Sequence, residues 1–243
     1  MTDLPPGTPV PLESTDPEHP RNFLERRIIT LKRRLIREAT QAVQMLEQAL
    51  DALWDLDVES AREVRRGDDR IDTEEVQIER ECYEILALQH LFARDFRVLT
   101  FILKVNADLE RVADHACSIA KIVSRIAKLQ PGVVPAWPQS LLELGQRLPM
   151  MCHDLMRAVL DEDVDAAKRL VHADETIDAL ERGLFDELLE MMQADGDPPT
   201  LARGMLLSRV GRELERVGDL MTNIAEDVVY LATGTIIRHE EKK

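Results

Sequence analysis

Between Pro20 and Pro131 the chain contains no proline. Proline inside a helix removes a backbone donor and clashes with the preceding turn. A run this long without one is a helical signal, and it leaves little room for strand-and-turn architectures. The composition agrees. Aromatic residues make up 4% of the 243 residues and there are only 10 glycines, too few for a sandwich or barrel built on aromatic strands and glycine turns. Apolar residues at 44% and charged residues at 32% describe a globular chain. Pro131, Pro135 and Pro138, with Gly132, read as a linker; Pro149 is expected to interrupt the next segment, and Pro198–Pro199 mark a further turn.

Helical periodicity fills the intervals between these prolines. The first stripe runs Leu24, Ile28, Leu31, Leu35, Ala39, Ala42, Leu46, Ala49 and Leu53, alternating steps of three and four as in a bundle seam. Asp57 is placed to cap a second helix that runs to about His90. A third spans about Phe96 to Leu129 on Leu99, Ile102, Asn106, Leu109, Ala113, Ala116, Ala120 and Val123.

The pattern then recurs. Asp163-Val-Asp-Ala-Ala echoes Asp57-Val-Glu-Ser-Ala, and the segment beginning at Asn106 echoes the one beginning at Gly211, with seven of sixteen positions identical. Two copies of a three-helix unit explain this most economically. The expected organisation is an all-α chain of six long helices. Residues 1–20 form a disordered Pro-rich tail, 21–130 the first three-helix repeat, 131–137 a linker, 138–235 the second repeat and 236–243 a polar tail.

Carboxylates interrupt the apolar seams at matching places. In the second helix the seam reads Ala61, Val64, Asp68, Ile71, Glu75, Ile78, Cys82, Ile85, and only Asp68 and Glu75 break it. In the second copy it reads Ala167, Leu170, Asp174, Ile177, Glu181, Leu184, Leu188, Met191, broken at the equivalent Asp174 and Glu181. Asp72 and Asp178 follow four residues after Asp68 and Asp174, on the same face. The third helix of each copy adds Glu110 with Asp114, and Glu215 with Asp219, each pair spaced i, i+4 and flanking the seam. Converging carboxylates repel unless something neutralises them. Arginines (Arg66, Arg70, Arg111 or Arg216), protons or a cation could each do so. An all-oxygen donor set favours hard ions such as Mg²⁺, Mn²⁺, Ca²⁺ or Fe³⁺, with zinc less suited.

Other features carry less. His115 follows Asp114 but has Leu220 in the equivalent place of the second copy, and is expected on the surface or at a partner contact. His153 and His172 read as surface residues, Met150–Met151 and Met191–Met192 as core filler, and Cys82 and Cys117 as small apolar seam residues. A di-iron bundle site needs Glu-x-x-His at i, i+3, which neither copy has. No phosphate loop or nucleophile elbow is present. A metal-dependent hydrolase or di-iron enzyme, and a metal-free scaffold or accessory factor for a permease, stay open beside cation binding.

The net charge of −15 excludes attraction to nucleic acid or anionic lipid through bulk electrostatics. No window approaches the ~20 apolar residues of a membrane span. The first residues lack the basic start and apolar middle of a signal peptide. With Cys82, Cys117 and Cys152 odd in number and widely spaced, the expected compartment is the cytoplasm. A homodimer is expected, because long amphipathic bundles often leave an apolar edge.

Asp108-Leu-Glu-Arg-Val-Ala-Asp114-His and Glu213-Leu-Glu-Arg-Val-Gly-Asp219, each followed by an Ile-Ala pair (Ile119-Ala120, Ile224-Ala225), resemble the signature of the PhoU family over residues 21–240. The resemblance implies a cytoplasmic, non-enzymatic, all-helical protein that represses the phosphate-starvation response and restrains phosphate uptake. Its implied partners are the ATPase of a phosphate ABC transporter (PstB-like) and a membrane sensor histidine kinase (PhoR-like). The implied metal residues are Asp68 and Asp72 with Glu110 and Asp114, and Asp174 and Asp178 with Glu215 and Asp219. Two departures from symmetry stand out: Ala113 where the second copy has Gly218, and Ser118 where it has Asn223, which removes an amide oxygen from the first site.

Overall fold

A computed structural model describes residues 18–237, with side chains from Phe23 onward. Among these residues there are six helices and no strand: α1 (Glu18–Asp55), α2 (Val58–Leu88), α3 (Ala93–Leu129), α4 (Gln139–Asp161), α5 (Val164–Ala194) and α6 (Pro198–Thr233). At 1.5 Å per residue, α1 with its 38 residues is a rod about 57 Å long. Most of the expected N-terminal tail and the last six residues lie outside the described residues. Residues 18–20 of that tail are already helical, with Pro20 in the first turn, where its missing N–H costs nothing. Pro149 also departs from expectation, because α4 runs through it without ending.

The two repeats use the same local devices. Asp57 accepts hydrogen bonds from the Glu59 and Ser60 amides at 2.9 and 3.2 Å; Asp163 does the same for Asp165 and Ala166 at 3.0 and 2.9 Å. The residue before each cap, Leu56 or Glu162, takes positive φ (51° and 49°), which closes the α1–α2 and α4–α5 corners. The Asp57 amide then reaches Ala52 O at 2.9 Å and the Asp163 amide reaches Ala158 O at 3.0 Å, satisfying a carbonyl at each helix end. At the start of α6, Asp197 caps Thr200 N at 2.8 Å, with prolines in the first turn.

Helices α1, α2 and α3 pack on one another, as do α4, α5 and α6; α3 against α6 and α1 against α4 join the repeats. All nine residues of the α1 stripe and all eight of the α3 stripe are buried. The buried residues of α2 are Ala61, Val64, Ile71, Ile78, Cys82 and Ile85, which is the seam with its two carboxylates left out. The α4 N-terminus is held by α5: Glu187 accepts from the Gln139 and Ser140 amides at 2.6 and 3.0 Å. None of the described helices is long and apolar enough to cross a membrane.

Candidate metal centre

The acid residues of each repeat lie on neighbouring helices, α2 with α3 and α5 with α6, near enough for their charges to be felt mutually. In the first repeat α2 contributes Asp68, Asp72 and Glu75, and α3 contributes Glu110 and Asp114. Asp68, Glu75 and Glu110 are half-buried, while Asp72 and Asp114 are open to solvent. In the second repeat Asp174, Asp178 and Glu181 of α5 and Glu215 of α6 are half-buried, and Asp219 is exposed.

Their electrostatics show that they feel one another. Burial pushes the Glu110 carboxyl up to about 7, and the negative charges of Asp114, Glu75, Asp72 and Asp68 push in the same direction. Glu215 is raised by burial and then by Asp219, Asp178 and Glu181, with Arg216 opposing. Burial also raises Asp68; a hydrogen bond with the Cys117 thiol opposes this, and Asp72 and Asp114 add to it. Glu75 is raised by burial, then by Glu79 and Asp72. Two of the possible arginine counter-ions are engaged elsewhere: Arg66 with Glu59 at 3.7 Å and Arg111 with Asp108 at 3.3 Å.

Four of the ten acids also face the space between the repeats, and the other six do not line it. A groove of about 970 Å³ is lined by Asp114 of the first repeat and by Asp174, Asp178 and Asp219 of the second, with Arg111, Lys168 and Arg216 beside them. Small residues allow the close approach. A Cβ at Gly218 would stand 3.0 Å from Ile177 Cγ2 and 3.6 Å from Asp174 Oδ1. Ala113 already carries that methyl in the first repeat.

Among the described residues, no three histidine, cysteine or carboxylate side chains stand as a ready-made metal cage. The donor chemistry nevertheless fits a hard cation, since every candidate ligand is an oxygen and several are desolvated.

Two residues, His115 and Glu38, behave differently from a sequence-based expectation or were missed by it, and a third, Asn106, is buried on the α3 stripe where it was expected. His115 is not on the surface: its Nδ1 lies 2.7 Å from Glu213 Oε2 of α6, with both side chains largely buried. Glu38 of α1 is fully buried, and neither carboxylate oxygen has a hydrogen-bond partner among the described residues. Burial, together with Glu74 and Glu75, raises its carboxyl to about 8. Its position three after Leu35 and four before Ala42 was the available signal. Asn106, also buried, donates from Nδ2 to Glu75 O at 3.0 Å and leaves its Oδ1 without a partner.

The PhoU domain pattern matches residues 35–123 and 141–228 of this chain. The chain is 35% identical over 194 residues to the phosphate-specific transport system accessory protein PhoU homolog of Deinococcus radiodurans, covering 79% of this chain and 88% of that one. It is 34% identical over 212 residues to the homolog of Aquifex aeolicus, covering 87% and 94%. The crystal structure of PhoU from Pseudomonas aeruginosa superposes with a TM-score of 0.81 at 30% identity, over 87% of this chain and 99% of that one. With the domain pattern found once in each three-helix repeat and a relative of matching length at this identity, the chain belongs to the PhoU family.

Proposed function

We propose that this protein is a regulatory accessory factor of phosphate transport, acting in the cytoplasm by protein contact and not as an enzyme. The observation that carries the reading is its relatedness along most of its length to proteins named phosphate-specific transport system accessory proteins. In this reading it restrains phosphate uptake and the starvation response by engaging the ATPase of a phosphate ABC transporter and a sensor histidine kinase. It acts as a homodimer.

The acid motifs take hard cations, Mg²⁺, Mn²⁺ or Fe³⁺ before Zn²⁺. Asp68, Asp72, Glu75, Glu110 and Asp114 serve one repeat, and Asp174, Asp178, Glu181, Glu215 and Asp219 the other. A bound cation supplies the positive charge that offsets carboxylate repulsion across α2–α3 and α5–α6. The chain's own residues then do the positioning. Gly218 brings α6 close to Asp174, and Arg111, Lys168 and Arg216 flank the acids in the shared groove.

Affinity capture from cells grown with ample and with limiting phosphate tests the regulatory reading. Recovery of the transporter ATPase or the kinase that depends on phosphate supports it; equal absence of both in the two conditions refutes it. Metal content after gentle purification tests the acid motifs. Glu110→Ala with Asp114→Ala, and Glu215→Ala with Asp219→Ala, are expected to lower it, and unchanged content rejects the site.

A further inference from the structure

The chain turns back on itself after α6. Gly234, at φ 75°, ends the helix with its amide on Tyr230 O at 2.8 Å, and the Thr235 amide bonds Thr233 Oγ1 at 3.0 Å. Three residues beyond the glycine, Ile237 packs against the core. It lines the groove of about 970 Å³ between the repeats, in company with Glu226, Asn223 and Leu220 of α6. Those residues stand two to four turns before the end of α6, so the chain has reversed and Ile237 is seated in the groove.

The groove carries an excess of negative charge. Asp114, Asp174, Glu175, Asp178, Asp219 and Glu226 line it, against the three bases Arg111, Lys168 and Arg216. The six residues that follow Ile237 read Arg-His-Glu-Glu-Lys-Lys. Their bases, Arg238, Lys242 and Lys243, match the acids, and Glu240 and Glu241 match Lys168. The reach also fits: six extended residues span about 20 Å, while the seven residues of α6 from Glu226 back to Asp219 cover about 10 Å. The first repeat has no equivalent, because after α3 the chain passes into the linker and on to α4.

We propose that residues 238–243 lie along this groove as an internal strap, with Arg238, Lys242 and Lys243 on the acids of α5 and α6 and Glu240 or Glu241 on Lys168. Single exposed ion pairs contribute little. The seated Ile237 makes these pairs intramolecular, which raises their effective concentration. The strap covers the acids of the second repeat that face the groove and leaves Asp68, Asp72, Glu75 and Glu110 of the first repeat, which do not line it, open. The two acid motifs thereby differ in their access to a basic partner or a cation. The inference goes beyond the regulatory reading and does not depend on metal binding.

Zero-length carbodiimide coupling of the full chain tests this, read by mass spectrometry on an equal mixture of light and isotope-labelled protein. Amides are expected within one chain, from Lys242 or Lys243 to Asp174, Asp178, Asp219 or Glu226, and from Glu240 or Glu241 to Lys168. Asp161 and Asp165 are exposed at the α4–α5 corner, beside the end of α6 and within the same reach, and should couple several-fold less. At about 1 M NaCl, where the Debye length is about 3 Å, the groove products should fall to the level of the corner products. Ile237→Asp, which removes the apolar anchor and leaves the six following residues intact, should lower them in the same way. Equal coupling to groove and corner acids in the parent chain would show a free segment and overturn the strap. Products joining light to heavy chains, in place of single-chain products, would give the groove to a second copy and overturn it too. So would the absence of any coupled product from residues 238–243.

Discussion

Glu38 and Glu110 hold protons well above the ordinary carboxylate range of 4.5, at about 8 and about 7, because burial penalises the ionised form and neighbouring acids add to the penalty. The sign of the consequence follows from proton linkage. Between 4.5 and about 8 the folded chain binds more protons than the unfolded one, so stability falls as pH rises through that window. Chelator-treated protein should therefore show a urea midpoint that declines from pH 5 to pH 8, and Glu38→Leu should flatten most of the slope. A midpoint that rises over this range would contradict the raised proton affinity of the buried Glu38 and the half-buried Glu110. A cation held at Glu110, as proposed, would compete with protons for its oxygens, so saturating Mn²⁺ should lessen the decline. Glu38 was hard to read from the sequence because it follows Arg37 and the basic run before it, and so resembles part of a solvated face. Only its step from Leu35 to Ala42 placed it inward. His115 was misread for a different reason: its partner Glu213 lies 98 positions away.

The helices themselves were legible, since capping and seam spacing act within one or two turns. The α2 and α5 seams, the Asp57 and Asp163 caps and the α3 stripe are where their periodicity puts them. The closeness of approach between helices was less legible. α6 packs on α5 through glycine, and a Cβ at Gly211 would overlap Leu184 Cδ2. Gly211→Ala is expected to destabilise the second repeat by about 1–3 kcal/mol, as overpacking does, measured by chemical denaturation. Gly218→Ala should cost less, because its nearest neighbour is the Ile177 methyl at 3.0 Å and the first repeat accommodates Ala113 at the same place. Equal losses for the two would show that the helix spacing is set elsewhere.

Across the whole molecule, the repeats are joined along α3–α6 and α1–α4 by buried apolar contacts. Polar ties cross the same seam. Lys104 Nζ lies 2.9 Å from the buried Asp227, and His115 meets Glu213. Glu162, at the α4–α5 corner, reaches Lys32 at 3.3 Å and Arg94 at 3.6 Å in the first repeat. The chain should unfold in one transition, with calorimetric and van't Hoff enthalpies in agreement. Lys104→Met should lower the midpoint modestly, by about 1 kcal/mol for a half-exposed partner, and leave the transition single. Two separate transitions in the parent chain would show that the repeats fold independently.

From the sequence by itself came the helical class, the duplication and the two sets of acids, because a 3.6-residue period and an i, i+4 spacing are local quantities that a linear chain displays openly. Tertiary structure alone decided that Asp114 of one repeat shares a groove with Asp174, Asp178 and Asp219 of the other, that His115 turns inward, and that Glu38 has no hydrogen-bond partner among the described residues. Those facts depend on the rotation and spacing of rods that meet a hundred residues apart, and no local period encodes which flank of one helix will face which flank of another.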